Sequence, residues 1–227
     1  MLRKKLLVPL DNKINIIIAT NNPDKFREIC SLLKPLPRKV KLLSLQDLQH
    51  YSLRKIKIKE DGKTFKENAL KKSLNICKKF HLITIADDSG LEVPILNNAP
   101  GVHSSRFAGY GCTYEDNNRK LLRLLKGVPI NKRKAQLRSV ICISVPDKAD
   151  SKKIKTYFTE GKCKGYISYE IRGKHGFGYD FVFVVPKYRK TFGELGPKIK
   201  NKISHRAIAV RKARKILINI LKNYYNL

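Results

Sequence analysis

The 227-residue sequence predicts an α/β fold built on a mixed β-sheet flanked by helices, and three observations point there. β-branched runs of strand length alternate with segments whose apolar residues recur at helical spacing. The middle of the chain is rich in strand-like sequence. No apolar run approaches the roughly 20 residues needed to cross a bilayer, so the apolar segments belong to a globular core. A chain of this length can bury such a core as one large domain or two intimate lobes.

The first strand is read in Lys13 to Thr20, a β-branched run that passes directly into the helix-starting residues Asn21-Asn22-Pro23-Asp24. The helix from Pro23 to Leu33 carries Phe26, Ile29, Leu32 and Leu33 at helical spacing, and Pro35 and Pro37 end it. Val40 to Leu45 is a second strand. Thr64-Phe65-Lys66-Glu67 has the form of a capping box and opens a helix that runs to Phe80. Leu82 to Ala86 reads as a buried strand ending at Asp87-Asp88, with Gly90 supplying a tight turn. Beyond a loop from Pro100 to Gly111, a helix spans Tyr114 to Leu125, and long strands cover Ala135 to Val145 and Ile154 to Ile171. Tyr179 to Val185 is a further strand, and an amphipathic helix from Ser204 to Asn223 closes the chain. Residues 1–13 form a basic N-terminal extension and 14–227 a single domain. The extension begins like a signal peptide, but its apolar stretch is short and no small-residue cleavage site follows, so it reads as non-secreted.

Five cysteines without CxxC spacing fit neither a disulfide framework nor a zinc site, and a reducing cytoplasm is their simplest home. The formal charge of +31 on its own would argue for a polyanionic partner, but the basic residues occur in every segment. No membrane partner is expected, and nucleic-acid binding only as nonspecific electrostatics. Ten of the eighteen acids, by contrast, fall inside a few short motifs: Asp24, Glu28, Glu60, Asp61, Glu67, Asp87, Asp88, Glu92, Asp180 and Glu194.

The first motif is Ala19-Thr20-Asn21-Asn22-Pro23-Asp24-Lys25-Phe26-Arg27-Glu28. A strand-to-helix turn leaves backbone N–H groups free at the positive end of a helix dipole, and Lys25 can reach back one turn, which together make a phosphate cradle. The spacing is not that of a Walker A loop, and Thr20 and Asn22 also serve as ordinary turn and cap residues. In the second, Ala86-Asp87-Asp88-Ser89-Gly90-Leu91-Glu92, two carboxylates stand at the end of an apolar strand, where α/β folds commonly place ligands. Their hard oxygens suit Mg²⁺, which takes one or two protein carboxylates and fills its shell from phosphate and water. Glu60-Asp61-Gly62 can add a ligand, or be an exposed turn. The third, Gly176-Phe177-Gly178-Tyr179-Asp180, offers aromatic faces to a planar base and a carboxylate to its N–H groups. Finally, Lys200-Asn201-Lys202-Ile203-Ser204-His205-Arg206 sets basic side chains at a helix start, where they are unfavourable unless an anion or acceptor lies nearby.

In order and spacing, these motifs, with Glu60-Asp61-Gly62-Lys63-Thr64-Phe65-Lys66-Glu67-Asn68-Ala69, Pro100-Gly101-Val102-His103-Ser104-Ser105-Arg106-Phe107-Ala108-Gly109 and Thr191-Phe192-Gly193-Glu194-Leu195, resemble the motif series of the inosine triphosphate pyrophosphatase family from Asn15 to Asn223. The resemblance implies an elongated mixed sheet with two lobes, a nucleotide cleft between them, usually a homodimer, and conversion of a nucleoside triphosphate to monophosphate and pyrophosphate. It further implies that Thr20, Asn21, Asn22, Pro23, Asp24, Lys25 and Lys72 bind the triphosphate. Glu60 and Asp88 would hold Mg²⁺, with Mn²⁺ as its substitute, and Asp88 would accept the proton of the attacking water. Ser89 would contact substrate, and Phe177, Gly178, Tyr179, Asp180, Lys200, His205 and Arg206 would line the base and sugar. Three positions depart from the family pattern: Phe181 where proline usually follows the Gly-Phe-Gly-Tyr-Asp motif, His103 in place of a frequent tyrosine, and Gly193 where alanine is usual. They touch the shape of the base pocket rather than the reaction. The rival readings are a related pyrophosphatase for other modified nucleotides and a basic nucleic-acid-binding protein, the latter without any recognised binding motif.

Overall fold

A computed structural model describes residues 13–49, 60–150 and 153–225, so all but the last residue of the N-terminal extension lies outside the described residues. In chain order the elements are β1 (Ile14–Ile18), α1 (Pro23–Leu33), β2 (Val40–Leu43), α2 (Phe65–Phe80), β3 (Ile83–Glu92), α3 (Tyr114–Leu124), β4 (Lys134–Pro146), β5 (Ile154–Ile167), β6 (Phe183–Val185), β7 (Lys190–Thr191), α4 (Phe192–Ile203) and α5 (His205–Tyr225). The strands form one sheet in the order β2-β1-β3-β4-β5-β6-β7. β1 pairs in parallel with β2 and β3, whereas β5-β6 and β6-β7 are antiparallel, so the sheet is mixed as predicted. No helix among the described residues is long and apolar enough to cross a membrane.

Two compact units divide the chain. The first comprises the residues up to Asp88, Val140–Thr159 and those from Val210 on; the second is Ser89–Ser139 and Glu160–Ala209. Each has its own core. In the first, Ile17 and Ala86 from the sheet, with Ala19 just past β1, pack with Leu43, Leu45, Leu48 and the α2 residues Ile76 and Phe80. In the second, Leu91, Leu137, Ile167 and Phe183 pack with Leu121 and Leu125 from the end of α3 and with Phe192 of α4, whose ring stacks on Phe183. Burying these side chains is the main favourable term for each unit.

α1 begins and ends where the sequence placed it, because Asn22 caps its first turn and proline stands at its start. Other boundaries differ. β3 does not stop at Asp87-Asp88 but runs through them to Glu92, and Gly90 is a strand residue rather than a turn. The pair of charges tolerates this because partners from other elements satisfy it. The capping box on α2 is half formed: Thr64 Oγ1 accepts from Glu67 N (3.1 Å), but Glu67 reaches past Thr64 to Lys63 N (2.7 Å). The expected strand from Tyr179 is instead a 3-10 turn, Gly178–Phe181, leading into the three residues of β6. β5 ends at Ile167, four residues short of the expectation. The α4 helix was not evident in the sequence, since Gly193, Gly196 and Pro197 obscure its periodicity. Gly196 takes φ +72° at a kink in it.

Arg133, before β4, is 2% exposed. Its guanidinium donates to the carbonyls of Leu125 (2.6 Å), Ile167 (2.9 Å) and Ser168 (2.6 Å), joining the C-terminus of α3 to the end of β5 within the second unit.

Candidate active site

In the first unit, α2 presents Asn68 and Lys72, four residues apart and thus on one helix face, to the carboxylates of β3. Lys72 Nζ donates to Asp88 Oδ1 (2.9 Å), to the carbonyl of Asp87 (2.7 Å) and to Glu60 Oε1 (2.9 Å). Asn68 Nδ2 donates to the other oxygen, Asp88 Oδ2 (3.0 Å), and Asn68 Oδ1 accepts from Gly62 N (2.8 Å). Both oxygens of Asp88 are therefore oriented. A Cβ at Gly62 would stand 2.7 Å from Asn68 Oδ1, so glycine there permits the close approach of the two segments. Asp87, fully buried, pairs with Lys25 Nζ (3.2 Å) from the first turn of α1.

Burial raises the pKa of Asp88 above the ordinary value of 3.8, while Lys72, Lys25 and the Lys72 hydrogen bond pull it back only in part. Burial would lower that of Lys72, but Asp88 and Glu60 outweigh it and hold the ammonium above 10.5. The result is a protonated, buried lysine facing a carboxylate that binds a proton more readily than an exposed aspartate does.

The turn before α1 sits at the positive end of a helix dipole. Thr20 Oγ1 accepts from Asn22 N (3.1 Å), and Asn22 Oδ1 accepts from Asp24 N (2.9 Å) and Lys25 N (3.1 Å), which fixes the turn. Asn21 and Pro23 are exposed on it. Lys25 ties this turn to β3 through Asp87, so six of the sequence-predicted residues, Thr20 to Lys25, and the Glu60-Lys72-Asp88 cluster lie in the same unit.

The second unit holds the aromatic and basic residues. The ring of Phe177 has Lys200 Nζ 4.4 Å and the Arg206 guanidinium 5.5 Å from its centroid, both at cation–π range. Tyr114, on α3, packs against the same ring at 5.8 Å. Asp180 Oδ2 accepts from Phe177 N (2.9 Å) and from Lys200 Nζ, and a Cβ at Gly176 would collide with that carboxylate, which explains the glycine. Arg206 Nη2 donates to Ser89 Oγ (2.7 Å), on the residue that follows Asp88 in β3. Ser204 ends α4 and caps α5, accepting from Ala207 N (3.2 Å), so buried His205 and Arg206 stand in the first turn of α5.

Tyr179 is buried with its hydroxyl donating to the carbonyl of Ser104 (3.0 Å), and burial pushes its pKa up. Its ring belongs to the second unit's core, a placement the motif alone did not reveal. Sequence reasoning also missed Asn68, Ser104, Asn117 and Asn118. For Asn68 a signal was available, since it lies four residues before Lys72 in the same helix.

The model of the Ham1 family matches residues 16–216. A dITP/XTP pyrophosphatase of Thermoanaerobacter pseudethanolicus is 46% identical over 209 residues, covering 92% of this chain and 99% of its own, and one of Desulforamulus reducens is 43% identical over 204 residues, covering 90% and 96%. Among solved structures, a HAM1 protein from Coxiella burnetii superimposes with a TM-score of 0.77 at 35% identity, covering 91% of this chain and 99% of that one. The Staphylococcus aureus Ham1 protein gives 0.76 at 36%, covering 90% and 98%.

Proposed function

Because the chain belongs to the Ham1 family, we propose that it hydrolyses the deaminated purine nucleotides ITP, dITP and XTP to the monophosphate and pyrophosphate, keeping them out of DNA and RNA. The observation that carries this reading is Asp88: a buried carboxylate with both oxygens oriented, one peptide bond from the serine that Arg206 contacts.

Glu60 and Asp88 each bring an oxygen to 2.9 Å from one ammonium, so the two carboxylates already converge on a single positive charge. Among the described residues no cluster of three or more His, Cys, Asp or Glu side chains forms a closed metal nest. Two carboxylates with an open remainder fit Mg²⁺, or Mn²⁺ in its place, whose shell phosphate and water complete. Bound there, the ion supplies charge neutralisation for the phosphates and polarises the reacting group.

Thr20 to Lys25 hold the triphosphate at the positive end of α1 with the Lys25 ammonium, and Lys72 adds its charge. Asp88, raised in pKa by burial, accepts the proton of the attacking water as the α–β anhydride bond breaks and pyrophosphate leaves. Ser89 contacts substrate beside it. Phe177 offers its face to the base, Gly178 and Tyr179 shape the turn, Asp180 accepts from base N–H groups, and Lys200, His205 and Arg206 donate to base and sugar oxygens. The enzyme acts on a small nucleotide as a homodimer in the cytoplasm, a compartment that suits its five free cysteines. The test is pyrophosphate release across ITP, dITP, XTP, GTP, ATP and modified pyrimidine triphosphates, with Mg²⁺ and with excess chelator. Turnover confined to the first three and abolished by chelation is expected. A preference for modified pyrimidines, or steeply salt-dependent polynucleotide binding without turnover, would replace this reading.

A further inference from the structure

We propose that Asn118 is a positioning residue for base recognition, acting with Asn117 to hold the turn that carries Phe177, Tyr179 and Asp180; the inference rests on the base-reading role proposed for that turn. Both asparagines are buried, Asn118 to 1% exposure, on α3, a helix otherwise rich in charge. Asparagine is a poor helix former and costly to bury unless its amide is used, so two in succession inside a helix call for an explanation.

The amides grip backbone. Asn118 Nδ2 donates to the carbonyl of Gly178 (2.9 Å), the first residue of the 3-10 turn. Asn117 Oδ1 accepts from Ala108 N (2.7 Å), and its Nδ2 donates to the carbonyl of Ser105 (3.4 Å). The adjacent carbonyl, of Ser104, accepts from the Tyr179 hydroxyl, while Ser104 Oγ accepts from Leu91 N (2.9 Å) in β3. The turn is thus held from two sides: directly through Gly178 by Asn118, and through Tyr179 by a loop that Asn117 fixes.

The helix supplies this grip as one stripe. Tyr114, Asn117, Asn118, Leu121 and Leu125 recur at i, i+3, i+4, i+7 and i+11, the spacing of a single face. The last two enter the apolar core of the second unit, and Tyr114 meets the Phe177 ring. Where the stripe faces core it is leucine; where it faces the turn and the neighbouring loop it carries a ring and two amides. Gly178 holds φ +62°, a conformation that its own sequence does not enforce, and a donor on its carbonyl fixes the peptide plane and with it the direction of Tyr179 and Asp180.

Asn118→Asp preserves size but puts an oxygen against the Gly178 carbonyl, removing the donor. Calorimetric affinities for inosine monophosphate, which contains the base, and for inorganic tripolyphosphate, which does not, separate positioning of the base turn from general damage. The expected result is at least a tenfold loss for the monophosphate with tripolyphosphate within twofold of wild type and a retained melting transition. Tyr179→Phe, which removes only the hydroxyl bond to Ser104, should weaken the monophosphate at least threefold in the same selective way, and carries the test if the first variant does not fold. Monophosphate affinity within twofold of wild type, or equal loss for both ligands, overturns the inference. Wild-type pyrophosphate release from ITP reports separately on the proposed activity.

Discussion

Replacing Lys72 with methionine tests the carboxylate cluster through stability, without reference to turnover. Methionine fills most of the volume of the lysine stem but leaves Asp88, Glu60 and the Asp87 carbonyl without their common donor. The buried part of the loss is the Lys72–Asp88 pair, 2% and 6% exposed, whereas Glu60 is 36% exposed and screened by water. Removing one partner of a buried pair costs about 3–5 kcal/mol, which for a chain of this size lowers the melting temperature by about 6–20 °C. The pH dependence follows from the directions of the two shifts. The folded pKa of Lys72 lies above 10.5, so its contribution is complete at pH 7 and disappears only as pH rises past that value. Asp88 is already raised by burial and rises further without the ammonium, so on acidification it protonates and the variant's deficit shrinks toward pH 4. Thermal unfolding of both proteins in chelator at pH 7 and pH 4 measures this. Mg²⁺ at a hundred times its dissociation constant should restore about 2.7 kcal/mol to the variant if the ion enters the same carboxylates. A melting temperature within 2 °C of wild type at pH 7, or a deficit unchanged at pH 4, refutes the reasoning.

Asp88→Asn should lower pyrophosphate release by about 10²–10⁴-fold, since it removes the proton acceptor; steady-state rates with ITP within a few-fold of wild type would move the base elsewhere, first to Asp87. Arg206→Ala should lower kcat/KM for ITP by about 10–100-fold but ATP far less, because a donor-only guanidinium matches the oxygen at purine position 6 and opposes an amino group. Equal losses for the two substrates would make Arg206 a general phosphate or structural residue. Gly193→Ala should destabilise this chain by about 1–3 kcal/mol through overpacking, because a Cβ there would lie 2.7 Å from the Arg172 carbonyl and 3.1 Å from the Phe181 ring. Denaturant unfolding should show a smaller cost in a Phe181→Ala background, and strict additivity would sever the link between the two positions.

That last pair shows how far the sequence could be read. Phe181 and Gly193 stand out from it only as two separate departures from a family pattern, twelve residues apart. In the fold they are neighbours, the ring occupying space that a methyl on residue 193 would contest. Local signals were legible where local chemistry decides, as at Asn22 and Pro23, which fix the start of α1, whereas the capping box of Thr191 and Glu194 opens a helix that the sequence reading did not contain. The early end assigned to β3 came from closing the apolar run at the charged pair Asp87-Asp88 and giving the turn to Gly90. Their partners Lys25, Asn68 and Lys72 come from two helices, and that tertiary supply keeps the strand going. Likewise Tyr179 to Val185 has strand-like composition, yet Asp180 bonds back to Phe177 N and winds the first residues into a 3-10 turn. The roles of Asn117 and Asn118 depend on carbonyls at distant positions, which no local pattern announces.

Arg133 has a consequence for how the second unit meets changes of acidity. Its guanidinium is clasped by main-chain oxygens of Leu125, Ile167 and Ser168. Carbonyls do not titrate, and arginine keeps its proton across the physiological range. An arginine–carboxylate bridge at this joint would loosen once the acid took up a proton; this one has no such threshold. The rear of α3 is therefore moored to the sheet equally well in acid and at neutrality, while Asp88, the proposed proton acceptor, sits on β3.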